Sequence, residues 1–352
     1  MQSNVVRAID TAISEEPYIP REVQLFSTCP SSAISPDRYI ENVIRAARWS
    51  EDAGCAGILV YTDNSLVDPW LVSQVIVDCT ESLAPLVAVQ PAYMHPYSVA
   101  KMVSSIGFLY GRRVFLNMVA GGFKTDLASL GDRTPHDARY DRLVEYTRII
   151  HRLLEGGSPV TSEGRFYQTV DLALNPALPP ELFPGIFISG SSEAGLAAAR
   201  AIGATAVKYP EPPERCSLNS EVNGKFGVRV GIITRESGDD AWDVALERFP
   251  VDRQGQLAHQ LAMKVSDSVW HKQLSQIGSS LNGKREVYWL GPFENYKTFC
   301  PYLVGSHRDV SIELGRYLAA GYKTYILDIP ASREDLEHIS AVFRLAAERV
   351  DS

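Results

Sequence analysis

Two stretches of this sequence combine residue types that handle charge. The first is "IFISGSSEAGLAAARAIGA", residues 186–204. A short apolar run stops at Gly190-Ser191-Ser192, and an Ala-rich helical stretch begins at once. Free N–H groups at a helix start, together with the helix dipole, favour an anion. Gly190 lets backbone approach closely, and Ser191 and Ser192 add hydroxyls. A phosphate is the natural guest, although a plain serine N-cap would look the same in local sequence. The second stretch is "FGVRVGII", residues 226–233. Alternation puts Phe226, Val228 and Val230 on one side of a strand and Gly227, Arg229 and Gly231 on the other. A buried guanidinium is costly without a partner. Arg229 therefore either pairs with a structural carboxylate or offers its fork of donors to a ligand, with the flanking glycines leaving space.

Other residues with chemical potential lie in segments of similar character. "NMVAGGFKTDLASLGD" (117–132) opens with Asn117 and a Gly121-Gly122 turn. "TDNSLVDPW" (62–70) offers Asn64 and Ser65, and "QPAYMHP" (90–96) offers His95. A lone histidine in such a loop reads better as a hydrogen-bonded loop residue than as a ligand. "KYPEPPE" (208–214) brings Tyr209. No carboxylate pair stands out for glycosidase chemistry, and there is no GxSxG elbow or HExxH motif. The five cysteines, Cys29, Cys55, Cys79, Cys216 and Cys300, are far apart and form no CxxC pair. That argues against a disulfide framework or a zinc site and suits a reducing, cytoplasmic setting.

The elements that must position these groups alternate. Apolar runs near residues 23, 56, 85, 113, 186, 205, 226 and 323 read as strands. Most are followed by helical patterns, at 37–53, 68–79, 97–110, 136–156, 192–203, 239–249 and 333–350; a further helix is expected at 308–322. Eight such units predict an α/β fold, a (β/α)8 TIM barrel, with chemistry at the carboxyl ends of the strands. Residues 1–22 read as an N-terminal arm and 23–352 as one domain, with insertions near 157–185 and 250–305. The chain of 352 residues is 45% hydrophobic and 22% charged, enough for a large core. Its net charge is −8 with no Lys/Arg block, so nucleic acid is not expected. No apolar run reaches membrane-span length, and residues 1–20 lack a signal-peptide core.

Several segments together resemble the bacterial-luciferase-like flavin monooxygenases, most of all the FMNH2-dependent alkanesulfonate monooxygenases. They are "GRRVFLNMVAGG" (111–122), "HDARYDRLVEYTRIIHRLLEG" (136–156), "ISGSSEAG" (188–195), "YPEPPE" (209–214), "FGVRVGIITRESGDDAW" (226–242), "DSVWHKQLSQIGSSLNGKRE" (267–286) and "YLVGSHRDV" (302–310). The resemblance implies a TIM barrel with insertions and a two-component reaction. A separate NAD(P)H-dependent flavin reductase supplies reduced FMN, and O2 adds at the flavin C4a to give the peroxyflavin that oxygenates substrate. By this resemblance Gly190, Ser191 and Ser192 hold the FMN phosphate. His136, Arg139 and Tyr140 match the family's H-x-x-R-Y segment beside the flavin. Asn117 and Ala120 match the end of the fourth strand under the ring, where threonine is usual in place of Ala120. Tyr209 replaces a rim tryptophan.

The substrate side departs from that branch. Its loop cysteine is Leu66 here, its histidine after the first strand is Cys29, and its Arg-x-His on the seventh strand is Arg229-Val230-Gly231. Its lid arginine aligns with Tyr296, next to Lys297, and a late tyrosine aligns with Ile329. Arg229, Tyr296 and Lys297 are the expected substrate-side groups, Gly231 the expected space for a bulkier substrate, and 285–305 the expected mobile lid. With most sulfonate-handling groups gone, the expected substrate is a small organic molecule or an acyl group on a carrier protein. Alkanesulfonate desulfonation, an F420-dependent hydride transfer and a non-catalytic flavin-binding barrel are the alternatives. The other expected partner is the same chain, in a dimer or tetramer.

Overall fold

The computed structural model describes residues 23–34, 36–121, 124–190, 192–212, 225–265, 274–275 and 286–350. The arm at 1–22, Cys216 and residues 267–273 and 276–285 of the family-resemblance segment 267–286 lie outside the described residues, as do Gly122 and Ser191. In chain order the strands are β1 (Gln24–Thr28), β2 (Gly57–Val60), β3 (Ala84–Val89), β4 (Phe115–Met118), β5 (Val160–Glu163), β6 (Gln168–Leu172), β7 (Ile186–Ser189), β8 (Thr205–Lys208), β9 (Lys225–Arg235), β10 (Tyr288–Trp289), β11 (Tyr302–Ser306) and β12 (Thr324–Leu327). The helices are α1 (Tyr39–Asp52), α2 (Pro69–Cys79), α3 (Pro96–Tyr110), α4 (Lys124–Ser129), α5 (His136–Glu155), α6 (Glu193–Ile202), α7 (Gly238–Arg248), α8 (Arg253–Val265), α9 (Gly291–Glu294), α10 (His307–Ala319) and α11 (Arg333–Val350).

Among the described residues, eight parallel strands close into a barrel in the order β1-β2-β3-β4-β7-β8-β9-β12, and β12 returns to β1. These are the eight strands expected from the apolar runs. Their residues are buried on both faces, which is why the runs are nearly continuous rather than alternating. Period two still separates the faces. Ile58, Val228, Val230 and Tyr325 join the outer core under the helices. Phe26, Phe115 and Phe187 point inward and meet edge to face, with ring centroids 5.1, 5.2 and 5.8 Å apart. Each such pair contributes about 0.5–1.5 kcal/mol beyond its buried area. Together they plug the barrel interior, so that any ligand is left to the mouth above them.

Three features depart from the sequence reading. Residues 157–185 contain the antiparallel hairpin β5–β6, and the loop after β4 folds into α4. β9 runs for 11 residues: Gly227–Val230 pair with β12, and Gly231–Arg235 pair with the additional parallel strand β11. The third is the expected lid. Residues 286–306 are a packed element in which β10 pairs with β11, and Tyr288, Leu290, Phe293 and Cys300 are buried. Trp289 stacks edge-on against Trp242, with centroids 5.4 Å apart. Tyr288 and Phe293 are core residues of this subdomain, whereas Tyr296 is exposed.

Candidate active site

The turn from β7 into α6 is built as the sequence suggests. Ser192 caps α6 in an extended conformation, and its Oγ accepts a hydrogen bond from Gly195 N at 3.1 Å. The amides of Glu193 and Ala194 open the helix without intrahelical acceptors. Tyr140 lies against this turn: a Cβ on Gly190 would come within 2.8 Å of its hydroxyl, and one on Gly195 within 3.3 Å. Glycine at both positions is what lets the phenol sit over the backbone. His136 stacks edge-on with Tyr140 at 5.3 Å, and its Nδ1 meets Asp137 at 2.7 Å. At the end of β7, Ser189 Oγ donates to Asn117 Oδ1 at 2.8 Å, tying β4 to β7 at the mouth. Arg139 belongs to the inward stripe of α5 with Leu143, Tyr146 and Ile150. It is 5% exposed, and its Nε has no acceptor among the described residues. A buried guanidinium left without a carboxylate is unfavourable by several kcal/mol unless an anion completes it. A cleft of about 1040 Å³ opens beside the turn, lined by His136, Tyr140, Ser192 and the α6 alanines.

A second polar group occupies the mouth across the barrel. Arg229 points inward from β9, as the alternation required, and its Nε has no acceptor among the described residues. Burial opposes its charge, but Tyr209, Cys300 and Asp328 around it outweigh that and raise its pKa. Asp328, just past β12, is fixed from one side: its Oδ2 accepts Thr298 Oγ1 at 2.6 Å and Tyr302 Oη at 2.8 Å. Its Oδ1 accepts the Ile329 amide at 2.9 Å. Tyr209 lies beside Arg229, and burial pushes its hydroxyl up to about 12. Tyr61, past β2, is also raised by burial, which Arg229 partly offsets. Both phenols therefore keep their protons at neutral pH. The thiol of Cys29 is pushed up to about 12 by burial and hydrogen-bonds Tyr39, so it is not a reactive thiolate.

The chain matches the luciferase-like monooxygenase family over residues 23–324. It belongs to that family. A relative from Niallia circulans, 4-(gamma-L-glutamylamino)butanoyl-[BtrI acyl-carrier protein] monooxygenase BtrO, is 37% identical over 311 residues, covering 86% of this chain and 91% of its own. Among solved structures, EDTA monooxygenase (EmoA) from Chelativorans sp. BNC1 superimposes with a TM-score of 0.71 at 15% identity, covering 94% of each chain. An F420-dependent secondary alcohol dehydrogenase gives 0.64 at 16% identity, covering 92% of this chain and 99% of its own. At such identities the structural likenesses show the barrel alone.

Within this luciferase-like barrel the expected residues divide. Asn117, His136, Arg139, Tyr140, Gly190 and Ser192 gather around the β4, β7 and α6 edge. Ala120 is buried among the apolar residues of the outer core. Arg229 and Tyr209 are together across the mouth. Lys297 is not with them: it ion-pairs with Asp252 at 2.7 Å on the surface. Tyr296 is 39% exposed, with φ of 57°, and stacks edge-on with Phe299. Gly231 leaves no substrate space, because the ring of Tyr302, its cross-strand neighbour, already covers it. His95 caps α3 by accepting Tyr97 N at 3.1 Å, the loop role expected of it. Asp328, Tyr302 and Thr298 were missed. Asp328 had a signal: Thr324, Ile326 and Asp328 share one face of β12 at period two, ending at the mouth. No cluster of residues able to hold a metal occurs among the described residues, and no described helix is long and apolar enough to cross a membrane.

Proposed function

We propose that this protein is a flavin-dependent monooxygenase that uses reduced FMN and O2 to oxygenate an acyl chain carried on a carrier protein. The near full-length likeness to a carrier-protein monooxygenase carries this reading. The residues at the β7–α6 turn fit the flavin. A capped helix start, glycines whose Cβ atoms would strike Tyr140, and the buried guanidinium of Arg139, whose Nε has no acceptor among the described residues, suit the dianionic phosphate of FMN. Gly190, Ser192 and Arg139 would hold the phosphate, with His136 and Tyr140 beside it and Asn117 under the ring system. Ser191 keeps the role the resemblance implies. Bound in reduced form, FMN supplies the electrons that activate O2, one atom entering the substrate and the other leaving as water.

The chain's own groups do the rest. The phenylalanine plug keeps the barrel dry beneath the mouth. Tyr209 and Tyr61 present protonated hydroxyls as donors, and Arg229 offers its fork of donors to the substrate. A separate NAD(P)H-dependent reductase supplies the reduced flavin. The test combines the protein with FMN, NADH, a flavin reductase and an acyl-carrier substrate under labelled O2. One labelled oxygen atom in the released acyl chain is the expected result. Turnover driven by reduced F420 without O2, or no label in any carrier-bound acyl chain, refutes it.

A further inference from the structure

Arg229 and Asp328 carry opposite charges at the same rim, yet among the described residues they form no direct ion pair. Each is drawn away from the other. Tyr209, just past β8, lies beside the Arg229 guanidinium. Thr298 and Tyr302 anchor Oδ2 of Asp328 on the β11 side, and the Ile329 amide holds Oδ1. Both residues are partly buried. The buried Nε of the guanidinium has no acceptor among the described residues. Asp328 keeps lone pairs on Oδ1, since a carboxylate accepts about four bonds. A pair meant only to neutralise itself would close to contact. This one is held open by groups from β8, β11 and the segment before β11.

We propose that Arg229 and Asp328 form a receptor for a zwitterionic head, an α-amino acid terminus on the acyl substrate, whose carboxylate meets Arg229 and whose ammonium meets Asp328. The inference rests on the carrier-tethered acyl substrate proposed above. It also explains selectivity by repulsion. A head bearing only a carboxylate or sulfonate satisfies Arg229 but faces Asp328. A head bearing only an amine satisfies Asp328 but faces Arg229. Neither single charge fits the open pair, whereas a dipolar head completes both ends. The departure from the sulfonate-handling residues at this rim follows from the same requirement.

The test measures binding by calorimetry to the full chain with FMN present, using three pantetheine thioesters. The first carries 4-(γ-L-glutamylamino)butanoate. The second, 4-(glutarylamino)butanoate, lacks the amine. The third, 4-(4-aminobutanoylamino)butanoate, lacks the terminal carboxylate. The wild-type chain is expected to bind the first at least about tenfold more tightly than either of the others, the scale of one charge-assisted hydrogen bond. Asp328→Asn should erase the preference over the glutaryl form, and Arg229→Gln the preference over the aminobutanoyl form. Equal affinities of the wild-type chain for all three thioesters overturn the proposal, whatever the folding of the variants. So do preferences that survive both substitutions in variants with native circular dichroism. Oxygen incorporation is read separately: tight, selective binding without any oxygenated product refutes the monooxygenase reading and leaves the head-group recognition standing.

Discussion

Gly231 is a position where a small substitution should be costly, and the size of the effect follows from the structure. A Cβ there would lie 2.2–2.4 Å from the ring atoms of Tyr302, so the ring must retreat to beyond 3.4 Å for ordinary contact. It has little room to do so. Tyr302 is 3% exposed, packs edge-on against Phe249 at 5.0 Å, and its hydroxyl is committed to Asp328 at 2.8 Å. A shift of more than an ångström breaks that hydrogen bond. Overpacking of this kind costs about 1–3 kcal/mol, and the lost bond to a charged acceptor about 1.5–3 kcal/mol. The two effects share one ring movement, so Gly231→Ala should lose about 3 kcal/mol in all. The assay is a double-mutant cycle in denaturant unfolding with Tyr302→Ala. Truncating the tyrosine alone costs about 3–5 kcal/mol through its cavity, but it also removes the obstacle. In that background Gly231→Ala should cost under about 1 kcal/mol, giving a coupling of roughly 2 kcal/mol. If the two single losses simply add, Tyr302 does not occupy the space over Gly231 and the account of Asp328's anchoring goes with it.

At the phosphate turn, Ser192→Ala and Arg139→Met should each weaken FMN binding by about 1.5–3 kcal/mol while leaving riboflavin affinity unchanged, as read by flavin fluorescence titration; equal losses for both flavins would place neither residue at a phosphate. His307 Nε2 lies 3.0 Å from His338 Nδ1, and burial, then His338 and Arg235, push His307 down to about 4. Above an ordinary histidine pKa of about 6.5 the residue is neutral in both states; as pH falls toward 4 only the unfolded chain takes the proton, so stability is lost across that window. His307→Gln should flatten the slope between these values, and an unchanged slope means the pair is already charged in the fold. Asp335, 3% exposed, bridges Arg235 at 2.7 Å and also Arg248. Asp335→Asn strands two guanidiniums and should cost roughly 3–5 kcal/mol in urea unfolding; a loss below 1 kcal/mol would show that solvent already screens them.

The barrel was legible because its signal is local. Ile58, Leu116 and Ile188 sit in apolar runs that fit only a doubly covered strand, and period two placed Arg229 inside without any knowledge of its neighbours. The Gly190–Ser192 turn was legible for the same reason, since a strand end, a glycine and a cap lie within a few residues. What stayed hidden depends on contacts distant in sequence. Asp328 is made a fixed acceptor by Tyr302 and Thr298, 26 and 30 residues earlier, in and just before a strand that the apolar pattern of 250–305 did not reveal. Gly231 and Lys297 show the limit from the other side. A glycine in a strand reads as space, and a lysine beside aromatics reads as a rim cation, until a partner is known. Tyr302 from β11 takes the space, and Asp252, just before α8, takes the cation. Both partners come from the inserted region whose own pairing has no local signature. The side of the mouth built from β4, β7 and α5, where we propose the flavin binds, could therefore be read from the chain. The substrate side, where β9 is shared between β12 and β11, could be read only from the fold, and that is where Asp328 turns an isolated arginine into half of a charge pair held open.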